Sequence, residues 1–139
     1  VVALHWCDDP QDLQYAISRQ ALEVLQNSTD AKGRTLEVIK LPQPGPLYIQ
    51  EDEADGIDLA EGSHPRIAGE RMAGSYINFY IGNSVVVYPQ LDPTYDAGVA
   101  ELLAAQFPQR EVIGIPAREI LLGGGNIHCI TQQQPATAS

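Results

Sequence analysis

One run of this sequence gathers most of its chemistry. Leu121–Pro135 reads LLGGGNIHCITQQQP. Gly123, Gly124 and Gly125 stand together, and consecutive glycines permit positive φ and close backbone approach. Such a turn can aim peptide N–H and C=O groups at a ligand. Cys129 follows, near the mouth of an expected strand over Ile127–Gln133. A thiolate there is a strong nucleophile once a base or cation lowers its pKa. The other reading is a buried structural thiol, because free cysteine is among the most buried residue types.

Neighbouring features narrow the chemistry. The glycine run is no phosphate loop, since no Gly-Lys-Ser/Thr follows it and it leads into a strand. It is no dinucleotide fingerprint for the same topological reason. His128 adjoins Cys129, but neighbours on a strand point to opposite faces, so His128 reads as a packing or hydrogen-bonding residue rather than the base. His5 and Cys7 share one strand face at a spacing that suits a metal. A complete site needs about four ligands, and only His64, His128 and Cys129 remain to supply them, so no metal is expected. Asp8 and Asp9 read as a helix-cap pair. Asn27-Ser28-Thr29 matches a glycosylation sequon, which matters only in a secreted protein. Tyr76, Phe79 and Tyr80 read as core residues of a strand.

These groups need elements to hold them. Val1–Trp6 reads as a core strand, ended by Asp8-Asp9-Pro10. Asp9 or Asp12 can cap a helix that runs from Gln11 to about Gln26, with Leu13, Ala16, Ile17, Ala21, Val24 and Leu25 at helical spacing. Thr35–Leu41 reads as a strand, and Pro42, Pro44, Gly45 and Pro46 as a rigid connector. Glu51 to Glu61 carries six acids and no base, so residues 50–72 read as an acidic surface insertion. Ser75–Ile81 and Ser84–Tyr88 form an expected hairpin about Gly82-Asn83. Asp96–Phe107 reads as a helix with Val99, Leu102, Leu103 and Phe107 on one face. Glu111–Ile115 is a further strand, Ile120–Leu122 leads into the glycines, and Pro135–Ser139 is a frayed tail. Strand–strand–helix–strand thus occurs once over residues 75–115, and again over residues 1–41 without its first strand. Alternating strands and helices indicate an α/β or α+β domain.

Composition removes whole classes of function. The chain has 139 residues, one domain's worth, with 44% hydrophobic and 19% charged residues. Its net charge of −10 repels phosphate backbones and anionic bilayers, so neither nucleic acid nor membrane is an expected partner. No apolar run approaches the roughly 18 residues of a spanning helix. Two cysteines are too few for a disulfide scaffold. Val1–Leu4 is already a buried-strand pattern without a charged leader, so the sequence reads as an excerpt or processed piece of a longer protein.

The LLGGGNIHCITQQQP run closely resembles the catalytic-cysteine segment of agmatine deiminases. SYINFYIGNSVVVYPQLDPTYD with FPQREVIGIPAREI resembles the preceding repeat of that family, and HWCDDPQDLQYAI the segment after its Gly-His-x-Asp motif. Residues 50–72 resemble the plant versions. Ser84 departs from the Gly that often follows Asn83. The resemblance covers nearly all of the chain. It implies a pentein α/β propeller of five ββαβ-like units, roughly two of them here, with residues 1–139 the C-terminal portion of one catalytic domain. It implies a cytoplasmic enzyme converting agmatine and water to N-carbamoylputrescine and ammonia without metal or organic cofactor, in putrescine and polyamine biosynthesis, commonly as a homodimer. It places Cys129 as the nucleophile, with Gly123, Gly124, Gly125 and Asn126 letting backbone groups reach the substrate. It also implies that the general-base histidine and the guanidinium-binding acids lie in the N-terminal portion, because none of His5, His64 and His128 falls in a Gly-His-x-Asp context. The chain alone is then inactive. Arginine deiminases and amidinotransferases, or a non-catalytic binding module on the same scaffold, are the alternatives.

Overall fold

The computed structural model describes residues 1–56, 61–62 and 65–135. Its first unit is a β-α-β crossover. Strand β1 (Val2–Trp6) leads through α1 (Gln14–Gln26) to β2 (Val38–Pro42). β1 and β2 are parallel in the register Val2 with Val38 through Trp6 with Pro42. Parallel neighbours need a crossover, and α1 supplies it. The helix starts later than expected, because two aspartates hold turns before it. Asp9 Oδ1 accepts from the Gln11 N–H and Asp12 Oδ1 from the Gln14 N–H, both at 2.9 Å. Ser18 is the buried residue of α1. Its hydroxyl donates to the His5 carbonyl at 3.0 Å and accepts from the Cys7 N–H at 3.3 Å, which fastens helix to strand. β2 begins at Val38 rather than Thr35, since Thr35 pairs locally with Thr29 across the turn that follows α1.

The second unit has the order β3 (Tyr80–Ile81), β4 (Val85–Gln90), α3 (Asp96–Gln106), β5 (Glu111–Pro116). β3 and β4 are antiparallel around Gly82–Ser84, and β4 and β5 are parallel across α3. The strand–helix–strand pattern therefore occurs twice, with the hairpin strand present in the second unit. The fold is mixed α/β, built among the described residues from one two-stranded and one three-stranded sheet. The core lies where α3 covers the second sheet: Leu41, Tyr76, Val86, Tyr88, Val99 and Leu103 are buried together. Leu102 is more exposed than the helical period implies.

Three expected elements change in kind, beyond these shifts of boundary. Ser75–Ile81 is a strand only over its last two residues. Side-chain bonds hold the earlier part elsewhere: the Tyr76 hydroxyl donates to Asp96 Oδ1 at 2.6 Å and accepts from the Asp92 N–H at 3.2 Å. Burial, then Asp96, raises the Tyr76 pKa, so the phenol stays protonated. Residues 50–72 are more than an acidic loop. They include α2 (Glu51–Asp55), closed by a capping box between Gln50 and Glu53, and a bridge from Tyr48 to Arg71. Ile49 and Met72 are buried with Leu121 in a second apolar cluster. The third change falls on the site itself.

Candidate functional site

The expected strand over Ile127–Gln133 is a 3-10 turn, Ile127–Ile130. Local polar bonds decide this. The side chain of Asn126, itself 2% exposed, accepts from the Ile127 N–H at 2.9 Å and donates to the Ala117 carbonyl at 3.4 Å. The Cys129 N–H then turns back to the Asn126 carbonyl at 2.9 Å. A short helix, α4 (Arg118–Leu121), precedes the glycines. The turn between needs two of them for different reasons. Gly124 has φ +89°, a region side chains resist. Gly125 faces the thiol so closely that a Cβ would lie 2.7 Å from Cys129 Sγ.

Cys129 is exposed, whereas Cys7 is buried. The structural-thiol reading thus describes Cys7. Asn78, in the segment before β3, touches Cys129 twice. Its Nδ2 donates to Sγ at 3.0 Å, and its Oδ1 accepts from the Cys129 N–H at 3.3 Å. The Asn78 carbonyl also accepts from the His128 N–H at 3.3 Å. The Asn78 amide, followed by the Asn126 backbone, lowers the Cys129 pKa, because donors favour the thiolate. The sequence reading passed over Asn78, taking SYINFY as core. A lone amide inside an otherwise apolar and aromatic run was the available signal.

His128 is exposed and lines an open cleft of about 500 Å³ with Ser75, Ile77 and Asn78. The strand argument for its orientation no longer holds, since the backbone there is a 3-10 turn. The sulfur's hydrogen-bond donor is Asn78 rather than His128. His5 stands behind the cleft, with Nδ1 3.0 Å from the Ser75 hydroxyl and Nε2 3.3 Å from Gln43 Oε1. Burial lowers its pKa. Cys7 donates weakly to the Asp9 carbonyl at 3.7 Å. Among the described residues no three His, Cys, Asp or Glu side chains gather as a metal group. His64 lies outside the described residues. Asp8 accepts from the Trp6 indole at 2.8 Å instead of capping α1.

Segment 50–72 grips the glycine turn from outside. Arg66 Nε donates to the Leu122 carbonyl at 2.7 Å. A Cβ on Gly124 would come within 3.3 Å of the Arg66 guanidinium. Arg118 of α4 pairs with Glu53. An exposed thiol, a donor amide on it and a pinned glycine turn stand together at this corner of the fold.

Residues 1–135 match the Porphyromonas-type peptidyl-arginine deiminase family. The chain belongs to that family. A relative from Photobacterium profundum, named "Putative agmatine deiminase", is 60% identical over 134 residues, covering 96% of this chain and 37% of its own length. The agmatine deiminase of Enterococcus faecalis superposes with a TM-score of 0.88 at 38% identity, over 96% of this chain and 36% of that one. A C. jejuni agmatine deiminase, solved as a cysteine-to-serine variant with substrate bound, gives 0.70 at 25% identity, over 91% and 31%. The chain therefore spans about a third of these relatives' length. These relatives are bacterial. Neither the plant-type likeness nor the placement in a C-terminal portion gains support from the matches. No helix among the described residues is long and apolar enough to cross a membrane.

Proposed function

We propose that this chain carries the nucleophile of a hydrolase that converts agmatine and water to N-carbamoylputrescine and ammonia. The observation that carries the reading is Cys129, an exposed thiol with lowered pKa that accepts the Asn78 amide. Family membership and the agmatine deiminase names of its relatives support the substrate. Resonance makes a guanidinium carbon a poor electrophile, and a thiolate attacks it better than water does. Sγ forms a bond to that carbon and ammonia leaves with a proton from a general acid, giving a thiouronium. Water then adds, the C–S bond breaks, and the ureido product departs.

The histidine that moves these protons and the carboxylates that clamp the guanidinium come, in this reading, from the remainder of the polypeptide. The remainder also completes a five-unit propeller. Asn126 and the glycine turn offer backbone groups to the substrate, and the negative net charge steers a dication inward. In this reading the product is a precursor of putrescine, the reaction belongs to polyamine synthesis, and the enzyme is cytoplasmic. A homodimer without metal or organic cofactor completes the reading.

The test compares agmatine with arginine on the full-length polypeptide, with and without Cys129→Ser. Agmatine turnover that the substitution abolishes is the expected result. Preference for arginine would instead favour an arginine deiminase, and binding without turnover a non-catalytic module.

A further inference from the structure

Asn78 lies 51 residues from Cys129 in sequence, yet its side chain meets both the backbone and the sulfur of that residue. The orientation of the amide follows from elementary chemistry. A backbone N–H can only donate, so the atom facing the Cys129 N–H must be Oδ1. The NH2 group is then left facing Sγ, where it donates at 3.0 Å. One side chain thereby fixes the χ1 direction of the cysteine and supplies a hydrogen bond that strengthens when the sulfur carries charge.

The neighbourhood offers the sulfur no cation at hydrogen-bond distance among the described residues. The charged and titratable groups at this corner are His128 beside Cys129, Arg66 across the glycine turn and His5 behind Ser75. Arg66 gives its Nε to the Leu122 carbonyl, and His5 is engaged by Gln43 and Ser75. Gly125 also lies against the sulfur, with no room for a side chain of its own. The thiol is thus held between a bare backbone and the Asn78 amide.

We propose that Asn78 is a positioning residue for Cys129, which aims Sγ at the substrate carbon and stabilises its ionised form through the Nδ2 donor. This rests on the reading of Cys129 as nucleophile. A purely structural Asn78 would need only Oδ1, which shares the Cys129 N–H with the Asn126 carbonyl. Asn78→Asp separates the two roles, because a carboxylate keeps that acceptor and replaces the donor with negative charge.

The experiment uses the full-length polypeptide, with Cys129→Ala as the blank for thiolate absorbance. Asn78→Asp is expected to keep its melting temperature, to titrate Cys129 at higher pH, and to lose about tenfold or more in kcat with KM little changed. Asn78→Ala is expected to lose activity in the same direction. An Asn78→Asp protein that titrates and turns over like the unsubstituted one overturns the proposal. If neither variant folds, Asn78→Ser decides: its hydroxyl is too short to reach Sγ, so a raised Cys129 midpoint is expected, and an unchanged one overturns the proposal. Absence of agmatine turnover in the unsubstituted protein would defeat the hydrolase reading alone, since the titrations still decide the role of Asn78.

Discussion

Arg118 and Glu53 meet as a two-pronged pair: Nε donates to Oε1 at 2.6 Å and Nη2 to Oε2 at 2.8 Å. The same Nη2 donates to the Tyr48 carbonyl at 2.7 Å. Glu53 belongs to α2 in the acidic segment, and Arg118 opens the helix that leads to the glycine turn. Planar forks of this kind fix geometry as well as charge. Glu53→Ala should free segment 50–72 from α4 and quicken its cleavage in limited proteolysis several-fold. Unchanged cleavage would mean that the apolar contacts of Ile49, Met72 and Leu121, with the Arg66 bond to the Leu122 carbonyl, suffice to hold the segment.

Two glycines should respond differently to alanine. Gly125→Ala drives a Cβ to 2.7 Å from Cys129 Sγ and 2.8 Å from its Cβ, so the turn itself must shift and carry the thiol with it, and the rate should fall by at least about tenfold. Gly33 has φ +73° with open space around it. Gly33→Ala should cost about 1 kcal/mol of stability from backbone strain and leave the rate unchanged. Steady-state kinetics beside chemical denaturation checks both.

Leu103 is fully buried in the cluster beneath α3. Leu103→Ala should destabilise the fold by about 3 kcal/mol, the usual cost of a leucine-sized cavity. Denaturant titration gives the value directly.

Acid should weaken the first unit in two stages. Burial lowers the His5 pKa, so above the ordinary histidine value near 6.5 its contribution is fully present. As pH falls through that value the unfolded chain takes up a proton that the fold resists, and stability drops until the folded pKa is passed. Asp12 repeats this lower down. Arg71, bonded at 2.7 Å, holds its carboxyl well below the usual range, so its contribution is lost as pH falls below about 3.8. Arg71→Ala should shrink the second stage, since the Gln14 and Gln43 donors to Asp12 remain, and cost about 1 kcal/mol at neutral pH, the pair being partly exposed. Thermal melts across pH 2–8 for the variant and its parent test this window.

The long elements were legible because their periods were long. α1 and α3 showed in the apolar spacing, and Gly82-Asn83 marked the hairpin. Pairing partners followed less readily, since a parallel register is set by which faces meet, and those meetings are distant in sequence. The run after the glycines misled for a physical reason. Ile127-His128-Cys129-Ile130 has strand-like residues, but the Asn126 side chain caps a 3-10 turn there. The motif marked Cys129 as a candidate. Its contact with Asn78 spans 51 residues, and no local pattern announces such a pair. Segment 50–72 looked like solvated charge because its acids are consecutive, while the arginines that anchor it are scattered.

The most direct test of Cys129 is to catch it bonded to substrate. The full-length polypeptide is mixed with agmatine, quenched with acid during turnover, digested and weighed peptide by peptide. The expected result is a mass gain on the Cys129 peptide equal to agmatine less ammonia, absent in Cys129→Ala. Steady turnover with that adduct on another residue would contradict the account.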